Sequence, residues 1–201
     1  MNIERPKSKQ PIPEHAKMVF KGVIFDVYQW EQEMYDGSKA TFEKLKRPDT
    51  VVVFPVLPDG KIMLTEQEQP GKAPFIGATG GRVEEGEDIF AAAKRELLEE
   101  SGYEAEEFIL WDAQYPASKI DWVVYTFVAK GLKKVAELNL DPGEKIKLLT
   151  VSLDELIELA TNRNKTFAEQ EFAEQEIVPI FLEAKYDLKK KEELNKLFSP
   201  V

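Results

Sequence analysis

The sequence predicts an α+β fold, on the basis of three observations. Runs rich in β-branched and aromatic residues alternate in polarity, strong turn signals separate them, and helical patterns stand apart from these runs. The chain has 201 residues, of which 43% are hydrophobic and 32% are charged. This composition is typical of a globular protein, and the length suits one domain with a full core, or a main domain with a small extension.

The N-terminal part predicts an antiparallel strand extension. Residues 1–15 form a Pro- and Lys-containing arm that we expect to be loose. The run KMVFKGVIFDVYQWEQEM follows, and Asp36-Gly37 is a hairpin turn signal before a partner strand at residues 39–45. So short a meander does not hold a core of its own, so it should pack on the rest of the chain or on a second subunit. We therefore divide the chain into an extension, residues 1–48, and a main domain, residues 49–201.

The main domain is predicted to combine strands and helices. Pro58-Asp59-Gly60 is the turn of a second hairpin, whose first strand, residues 51–56, is apolar enough to be buried on both faces. Residues 69–81 are glycine-rich and are predicted to form a loop. Further strands are expected at residues 107–113, 121–129 and 145–151, and helices at residues 88–101 and 153–162. The tail, residues 166–197, is predicted to be mostly helical and solvated, including FAEQE, which occurs twice in succession.

Charge and residue types exclude several classes of function. The net charge is −10, and the sequence-based pI is about 4.9, so neither nucleic acid nor an anionic membrane surface is an expected partner. The chain contains no cysteine and one histidine, His15, which excludes thiolate and His-rich metal sites. No apolar run approaches the roughly 20 residues of a membrane span, and the first residues do not resemble a signal peptide. The expected location is the cytoplasm.

An acidic helix carries the chemistry. The stretch GGRVEEGEDIFAAAKRELLEESGY begins at Gly80, and on a helix Glu96, Glu99 and Glu100 fall within an arc of roughly 100°. Like charges at this spacing destabilise a helix by roughly 0.2–0.5 kcal/mol per pair. A cation would relieve this repulsion, and oxygen ligands favour Mg²⁺ or Mn²⁺. The three glutamates therefore predict a divalent metal site for a pyrophosphate substrate, with an ordinary acidic surface helix as the alternative.

The spacing of this stretch is more specific than its charge. Gly81, five residues, Glu87, seven residues and then REXXEEXG, beginning at Arg95, is the pattern of the Nudix box. Seven such identities match by chance on the order of once in 10⁸ windows at usual residue frequencies. The chain thus resembles the Nudix hydrolases, which cleave nucleoside diphosphates linked to another moiety. The resemblance implies an α/β/α sandwich with a mixed β-sheet over residues 49–162. Within the box itself, the chain departs from the family pattern at the last position, where Tyr103 replaces the usual aliphatic residue.

The resemblance also implies roles for individual residues. Metal ligands would be Glu96, Glu99, Glu100 and the backbone carbonyl of Gly80, with Glu87 supporting the loop or a further ion. Arg95 would orient the glutamates, and it is counted with Glu99 among the catalytic residues. The family's catalytic base is typically an acid in a loop after the sheet, which matches Glu144 best and Asp141 second. An acidic turn residue without a catalytic role is the alternative for both.

The extension resembles the N-terminal strand domain of ADP-ribose and nucleotide-sugar pyrophosphatases. In those enzymes this domain mediates dimerisation and helps bind the base, which implies a homodimer through the N-terminal strands. Tyr28 or Trp30 would stack on a base, unless they only fill a strand interface. The chain departs from this subfamily at Gln69, where an arginine is usual. The subfamily usually carries the run Leu-Glu-Leu-Pro-Ala-Gly before the box. In this chain Gly77 and Thr79 stand in place of the glutamate and the proline of that run.

The expected function is Mg²⁺-dependent hydrolysis of the pyrophosphate bond of ADP-ribose or another nucleoside diphosphate sugar. Candidate phosphate partners are Arg82, Arg47 and Lys119, each with an ordinary surface charge as the alternative. Two other functions are weighed against this one. The first is a Nudix-like metabolite sensor that binds without cleavage, which the intact set of carboxylates disfavours. The second is a Nudix hydrolase that acts on another nucleotide.

Overall fold

The computed structural model describes residues 3–140, 142–162 and 171–200. Its strands are β1 (Lys17–Lys21), β2 (Asp26–Glu33), β3 (Lys39–Lys46), β4 (Thr50–Pro55), β5 (Ile62–Glu68), β6 (Phe75–Gly77), β7 (Thr79–Arg82), β8 (Tyr103–Glu104), β9 (Glu107–Gln114), β10 (Ile120–Asp121), β11 (Val124–Lys130), β12 (Lys133–Lys134), β13 (Lys145–Val151) and β14 (Glu171–Phe172). Its helices are α1 (Ile89–Ser101), α2 (Leu153–Thr161), α3 (Val178–Tyr186) and α4 (Leu188–Leu197). None of the helices in these ranges combines the length and apolar character needed to cross a bilayer.

The α+β class is confirmed, because sheets and helices form separate layers around two apolar clusters. One sheet has the order β7-β4-β11-β9 and another the order β13-β5-β6-β14. Strand β4 alternates between the clusters: Val51 and Val53 contribute to the cluster that includes α1, whereas Val52 and Phe54 contribute to the cluster that includes residues of α2, α3 and α4. As predicted, β4 is buried on both faces.

The N-terminal extension packs on the rest of the chain. Strands β1, β2 and β3 form an antiparallel meander, and β10 pairs with β3 in parallel, Ile120 opposite Leu45. The arm that we expected to be loose is anchored, because Arg5 forms ion pairs with Asp49 and Asp121 at 2.8 and 3.1 Å. The division of the chain at residue 48 remains a prediction.

The glycine-rich stretch forms strands, so the predicted loop at residues 69–81 is wrong in its second half. Strand β6 pairs with β5, and β7 pairs with β4, with Gly80 opposite Val52. A β-carbon at Gly80 would lie 2.3 Å from the carbonyl oxygen of Val51. The absence of side chains therefore permits a close backbone approach here. The strand expected at residues 121–129 is divided between β10 and β11 by Trp122 and Val123.

The C-terminal tail is a structural part of the core, which corrects the prediction of a solvated helix. Helices α3 and α4 confirm its helical character, but Phe172 lies in strand β14, which pairs with β6 in parallel. Phe172, Phe181 and Phe198 are buried in the same cluster as Phe54. The first copy of FAEQE lies almost wholly outside the described residues. Hydrophobic spacing in the tail thus reflects packing on the sheets.

We expect Phe181→Ala to lower the free energy of unfolding by about 3–5 kcal/mol. Phe181 is fully buried and makes edge-to-face contacts with Phe54 and Trp111 at centroid distances of 6.4 and 5.5 Å. The neighbouring Leu182, 45% exposed, provides the matched control, and Leu182→Ala should change stability by about 0.5 kcal/mol or less. Urea denaturation followed by circular dichroism measures both. Equal, small effects for the two variants would contradict the buried tail.

Candidate active site

Helix α1 has the boundaries that the sequence predicts. The Asp88 carboxylate caps its start by accepting from the backbone N–H groups of Phe90 and Ala91 at 3.0 and 3.3 Å. Gly102 ends it in the left-handed conformation, with φ 75°, and donates its N–H to the Leu98 carbonyl. Such caps satisfy backbone groups that a helix end leaves unpaired. The two ends therefore fix which residues belong to α1.

Apolar packing fixes the rotation of α1. Ala93 and Leu97 are fully buried in the cluster that also contains Val51 and Val53 of β4. The side chains on the adjoining face are then directed toward β7 and a cavity of about 760 Å³. Lining this cavity are Pro48, Gln67, Gln69, Gly80, Gly81, Arg82, Val83, Glu84, Glu85, Arg95, Glu96, Glu99, Glu100, Asn139 and Glu144. The structure thus brings together seven predicted site residues: Gly80, Arg82, Arg95, Glu96, Glu99, Glu100 and Glu144.

Glu100 is the most deeply buried of the three glutamates on α1 that line the cavity, with an exposed fraction of 4%. The backbone N–H of Gly80 donates to its Oε2 at 2.9 Å. Burial raises the pKa of Glu100 to about 9, and the nearby carboxylates of Glu96, Glu144 and Glu174 act in the same direction. A buried carboxylate is unfavourable unless a positive charge or hydrogen bonds compensate for it. The charged form of Glu100 is therefore disfavoured in the protein alone, and a cation bound beside it would stabilise that form.

Glu96 lies against the bare backbone of β7. A β-carbon added to Gly81 would fall 2.3 Å from Glu96 Oε1, so the glycine at this position makes room for the carboxylate. Burial raises the pKa of Glu96, whereas the hydrogen bond from Arg95 lowers it. The requirement for glycine at position 81 is therefore steric. Gly81 is the first residue of the predicted motif, and it contacts Glu96, one of the glutamates of the same motif.

Arg95 connects the acidic side chains. Its Nε donates to Glu87 at 2.9 Å, and its Nη1 donates to Glu96 and Glu99 at 2.8 and 3.1 Å. Its Nη2 donates to the Arg82 carbonyl at 2.9 Å. Hydrogen bonding to Arg95 lowers the pKa of Glu87, which lies behind the arginine rather than on the cavity wall. This geometry holds the two ends of the motif together and turns two glutamates toward a single guanidinium.

The donor set of the cavity fits a hard divalent cation. Its titratable donors are carboxylates, and oxygen ligands suit Mg²⁺ and Mn²⁺. In residues 3–140, 142–162 and 171–200, no three acidic or histidine side chains converge into a ready-made ligand cluster. Arg95 Nη1 contacts Glu96 and Glu99, so these carboxylates are oriented by an arginine in the structure. Binding of a cation would require them to share or exchange this partner.

Other predicted substrate residues lie away from the cavity wall. The guanidinium of Arg47 stacks on the Trp122 ring at 4.5 Å, and burial together with the neighbouring Arg82 lowers its pKa. Trp30 is 7% exposed and packs on Phe42 at 6.0 Å, which corresponds to the strand-interface alternative. The Lys119 ammonium lies over the same Phe42 ring at 5.4 Å.

Tyr28 lines a separate cavity of about 350 Å³. The N-terminal arm and the strand extension enclose it, and Arg5, Lys46, Tyr115 and Asp121 are among its walls. In this single chain, neither predicted stacking aromatic therefore reaches the acidic cavity.

Comparison with known proteins decides the family. The sequence profile of the NUDIX domain matches residues 46–171. The chain belongs to the Nudix family. It is 30% identical over 160 residues to the ADP-ribose pyrophosphatase of Bacillus subtilis (strain 168), an alignment that covers 78% of this chain and 86% of the relative.

Two further similarities support the same placement. The chain is 31% identical over 147 residues to the methanol dehydrogenase activator of Bacillus methanolicus, covering 71% of this chain and 79% of the relative. A crystal structure of an ADP compounds hydrolase superposes with a TM-score of 0.66 at 19% identity, over 92% of this chain and 98% of that one. The protein is therefore a Nudix hydrolase with the fold of that structure, related to ADP-ribose and ADP compound hydrolases, in a family that generally uses divalent metal ions.

This Nudix hydrolase also places residues at its cavity that the sequence did not single out. Gln67 and Asn139 line the wall, and the backbone N–H of Asn139 donates to the Glu99 carbonyl at 2.8 Å. Glu174 is buried near Glu100 and comes from the tail. No motif flagged these three, because tertiary packing alone brings Gln67 and Asn139 to the cavity wall and Glu174 to the residues behind it. Asp141, the second candidate for the base, lies outside the described residues.

Proposed function

We propose that this Nudix hydrolase cleaves the pyrophosphate bond of a nucleoside diphosphate sugar of the ADP-ribose type, using Mg²⁺ or Mn²⁺. Water is added across the P–O–P linkage, and the products are a nucleoside monophosphate and a sugar phosphate. The similarity to an ADP-ribose pyrophosphatase supports the substrate class. The observation that carries the proposal is the acidic cavity itself, in which Glu96 and Glu100 are buried beside the backbone of β7.

A polyanionic substrate does not suit this cavity unless a cation accompanies it. Six glutamates line the wall, namely Glu84, Glu85, Glu96, Glu99, Glu100 and Glu144, against two arginines, Arg82 and Arg95. In this proposal Glu96, Glu99, Glu100 and the Gly80 carbonyl hold the divalent ion. When bound, such an ion supplies neutralisation of phosphate charge and polarisation of a phosphoryl oxygen.

The protein's own groups then have three tasks. Arg95 orients Glu96 and Glu99 through its Nη1 hydrogen bonds, while Glu87 fixes Arg95 from behind. Glu144 faces the same cavity and contributes to raising the pKa of Glu96 and Glu100, so its carboxylate lies within electrostatic reach of both. We assign Glu144 as the base that accepts the proton of the attacking water.

The substrate's phosphates require cationic partners at the rim. Arg82 lines the cavity with an exposed side chain. Arg47 precedes the cavity-lining Pro48, and its guanidinium lies 4.5 Å from the centroid of the Trp122 ring and 5.6 Å from that of the Phe25 ring. Aromatic stacking reduces the rotamer freedom that an arginine would lose on binding a phosphate. We therefore assign Arg82 as a phosphate contact on the cavity wall. Arg47, which adjoins the wall without being part of it, is assigned as a second contact for a phosphate at the edge of the cavity.

Incubation with Mg²⁺ and a substrate panel tests the activity. The panel comprises ADP-ribose, GDP-mannose, other nucleoside diphosphate sugars, NADH and dinucleoside polyphosphates, with released monophosphate as the readout. We expect cleavage of a nucleoside diphosphate sugar, and we expect this activity to be lost on addition of EDTA. Glu99→Gln or Glu100→Gln should lower kcat more than about 100-fold without unfolding the protein. Glu104→Gln, an exposed acid just after α1, makes the same charge change and should leave kcat unchanged. Tight binding of one panel member without cleavage would instead support the sensor.

The assignment of the base leads to a separate prediction. Glu144→Gln should lower kcat by about 10²–10⁴-fold, the usual contribution of general base catalysis. It should leave KM nearly unchanged, because Glu144 is assigned no contact with the substrate's phosphates. Asp141→Asn, three residues earlier in the sequence, is the matched comparison. A large fall in kcat for Asp141→Asn with an active Glu144→Gln would transfer the role to Asp141.

We further propose that the protein forms a homodimer through its N-terminal strands. Strand β1 is at an edge of its sheet, and Met18, Val19, Phe20 and Val23 are exposed on β1 and the turn after it. Exposed apolar residues on an edge strand mark a surface for pairing with another chain.

Light scattering should therefore give a mass of about twice 23.0 kDa. The double substitution Phe20→Asp and Val23→Asp should reduce it to the monomer. Leu182→Asp introduces one such charge at an exposed apolar residue of α3 and should leave the dimer intact. A wild-type monomer at micromolar concentration would contradict the proposal.

A further inference from the structure

Glu174 places a carboxyl group from the C-terminal segment beneath the strand that forms one wall of the cavity. It follows β14, and its exposed fraction is 7%. Its Oε1 accepts the backbone N–H of Ala78 at 2.9 Å, a contact between residues 96 positions apart. Its Oε2 is buried without a hydrogen-bond partner within the described parts of the chain. A buried acid is unfavourable for folding, so its presence here calls for a role beyond filling space.

The chain leaves room for this carboxyl group at Gly77. A β-carbon on Gly77 would lie 2.6 Å from Glu174 Oε1 and 3.1 Å from the β-carbon of Ala173. The Ala173 N–H donates to the Ile76 carbonyl at 2.8 Å, which extends the pairing of β14 with β6. The carboxyl group of Glu174 therefore occupies the space that a side chain at position 77 would take.

The same short segment carries the backbone that contacts Glu100. Thr65 Oγ1 donates to the Gly77 carbonyl at 2.9 Å, and Thr79 Oγ1 donates to the Val53 carbonyl at 3.1 Å. Two residues after Ala78, the Gly80 N–H donates to Glu100 at 2.9 Å. Residues 77–80 are thus fixed by β4, by β5 and by Glu174, and their position determines where Gly80 meets α1.

We propose that Glu174 is a positioning residue of the active site: it holds the Ala78 amide and thereby sets the placement of Gly80 against Glu100. This inference rests on the proposed function, because the proposed function assigns metal binding to residues 80, 96, 99 and 100. Glu174 itself contacts neither the cation nor the substrate in this account. A purely structural role, in which Glu174 only docks the tail, would affect stability and leave the site unchanged.

Gly77→Ala separates these two roles. The new β-carbon would displace Glu174 Oε1, which is the far end of a flexible side chain. It would also lie 3.1 Å from the β-carbon of Ala173, so the fold should accept the substitution with a shift of a few tenths of an ångström at Ala173. We expect the Kd for Mn²⁺, measured by electron paramagnetic resonance, to rise about 10- to 100-fold, as for other residues that orient metal ligands. Glu174→Ala should produce the same rise, and the double variant should show no further increase, because both changes remove one contact. Glu174→Gln keeps an acceptor oxygen and should stay within about threefold of the wild type.

Leu194→Ala is the matched control for stability alone. Leu194 is buried in the same C-terminal segment, and its truncation should lower Tm without changing the Kd for Mn²⁺. Hydrogen exchange at the Ala78 and Gly80 amides provides a readout that needs no metal: both should lose protection in Gly77→Ala and Glu174→Ala, and neither in Leu194→Ala. Unchanged exchange and Mn²⁺ affinity in Gly77→Ala would overturn the positioning role. Absence of Mn²⁺ binding and of hydrolysis in the wild type would overturn the proposed function instead, with amide exchange still deciding the role of Glu174.

Discussion

The acidic site depends on the contact between carboxylates of α1 and the two glycines of β7, Gly80 and Gly81, which present no side chains. Gly81 leaves space for Glu96, and Gly80 approaches the β4 backbone closely enough to direct its N–H at Glu100. A β-carbon at position 81 would lie 2.3 Å from Glu96 Oε1, and a β-carbon at position 80 would lie 2.3 Å from the Val51 carbonyl oxygen. The glycines therefore determine how deeply the helix can bury its charges, and burial in turn raises the pKa of Glu100 to about 9.

Charge balance within the site favours the binding of a cation. Arg95 is shared among Glu87, Glu96 and Glu99, so one positive charge meets three negative ones. Glu144 lines the same cavity, and Glu100 would add a further negative charge once it loses its proton. A low dielectric environment strengthens the repulsion among such groups. The net charge of −10 over the whole chain reinforces it, and a phosphate ester can approach only where Arg47, Arg82 or a bound cation reverses the local field.

The sequence predicted the features that depend on local pattern. The bounds of α1 to within one residue, the shared face of its glutamates and the burial of β4 follow from spacing and composition, and the structure confirms them. Strands β6 and β7 were missed, because a glycine-rich stretch reads as a loop unless a neighbour approaches closely. The tail was misread, because charged residues between Phe172 and Phe198 mask the few that are buried.

The departures from the related pyrophosphatases have a partial structural explanation. Position 77 carries glycine where those enzymes carry glutamate, and in this chain the carboxyl group of Glu174 fills the corresponding space. No local pattern could predict this exchange, because it joins residues 96 positions apart. The cation–aromatic stack of Arg47 on Trp122 was missed for the same reason.

The hydrogen bond between Ala78 and Glu174 also sets an order of events during protein synthesis. A ribosome adding about 5–20 residues per second needs roughly 5–20 s to advance the 96 positions that separate the two. Throughout that interval the nascent sheet lacks both β14 and the phenylalanines of α3 and beyond, and its apolar face is open to water and to chaperones. Contacts of such long range slow folding, so a complete catalytic wall is among the last parts of the protein to form.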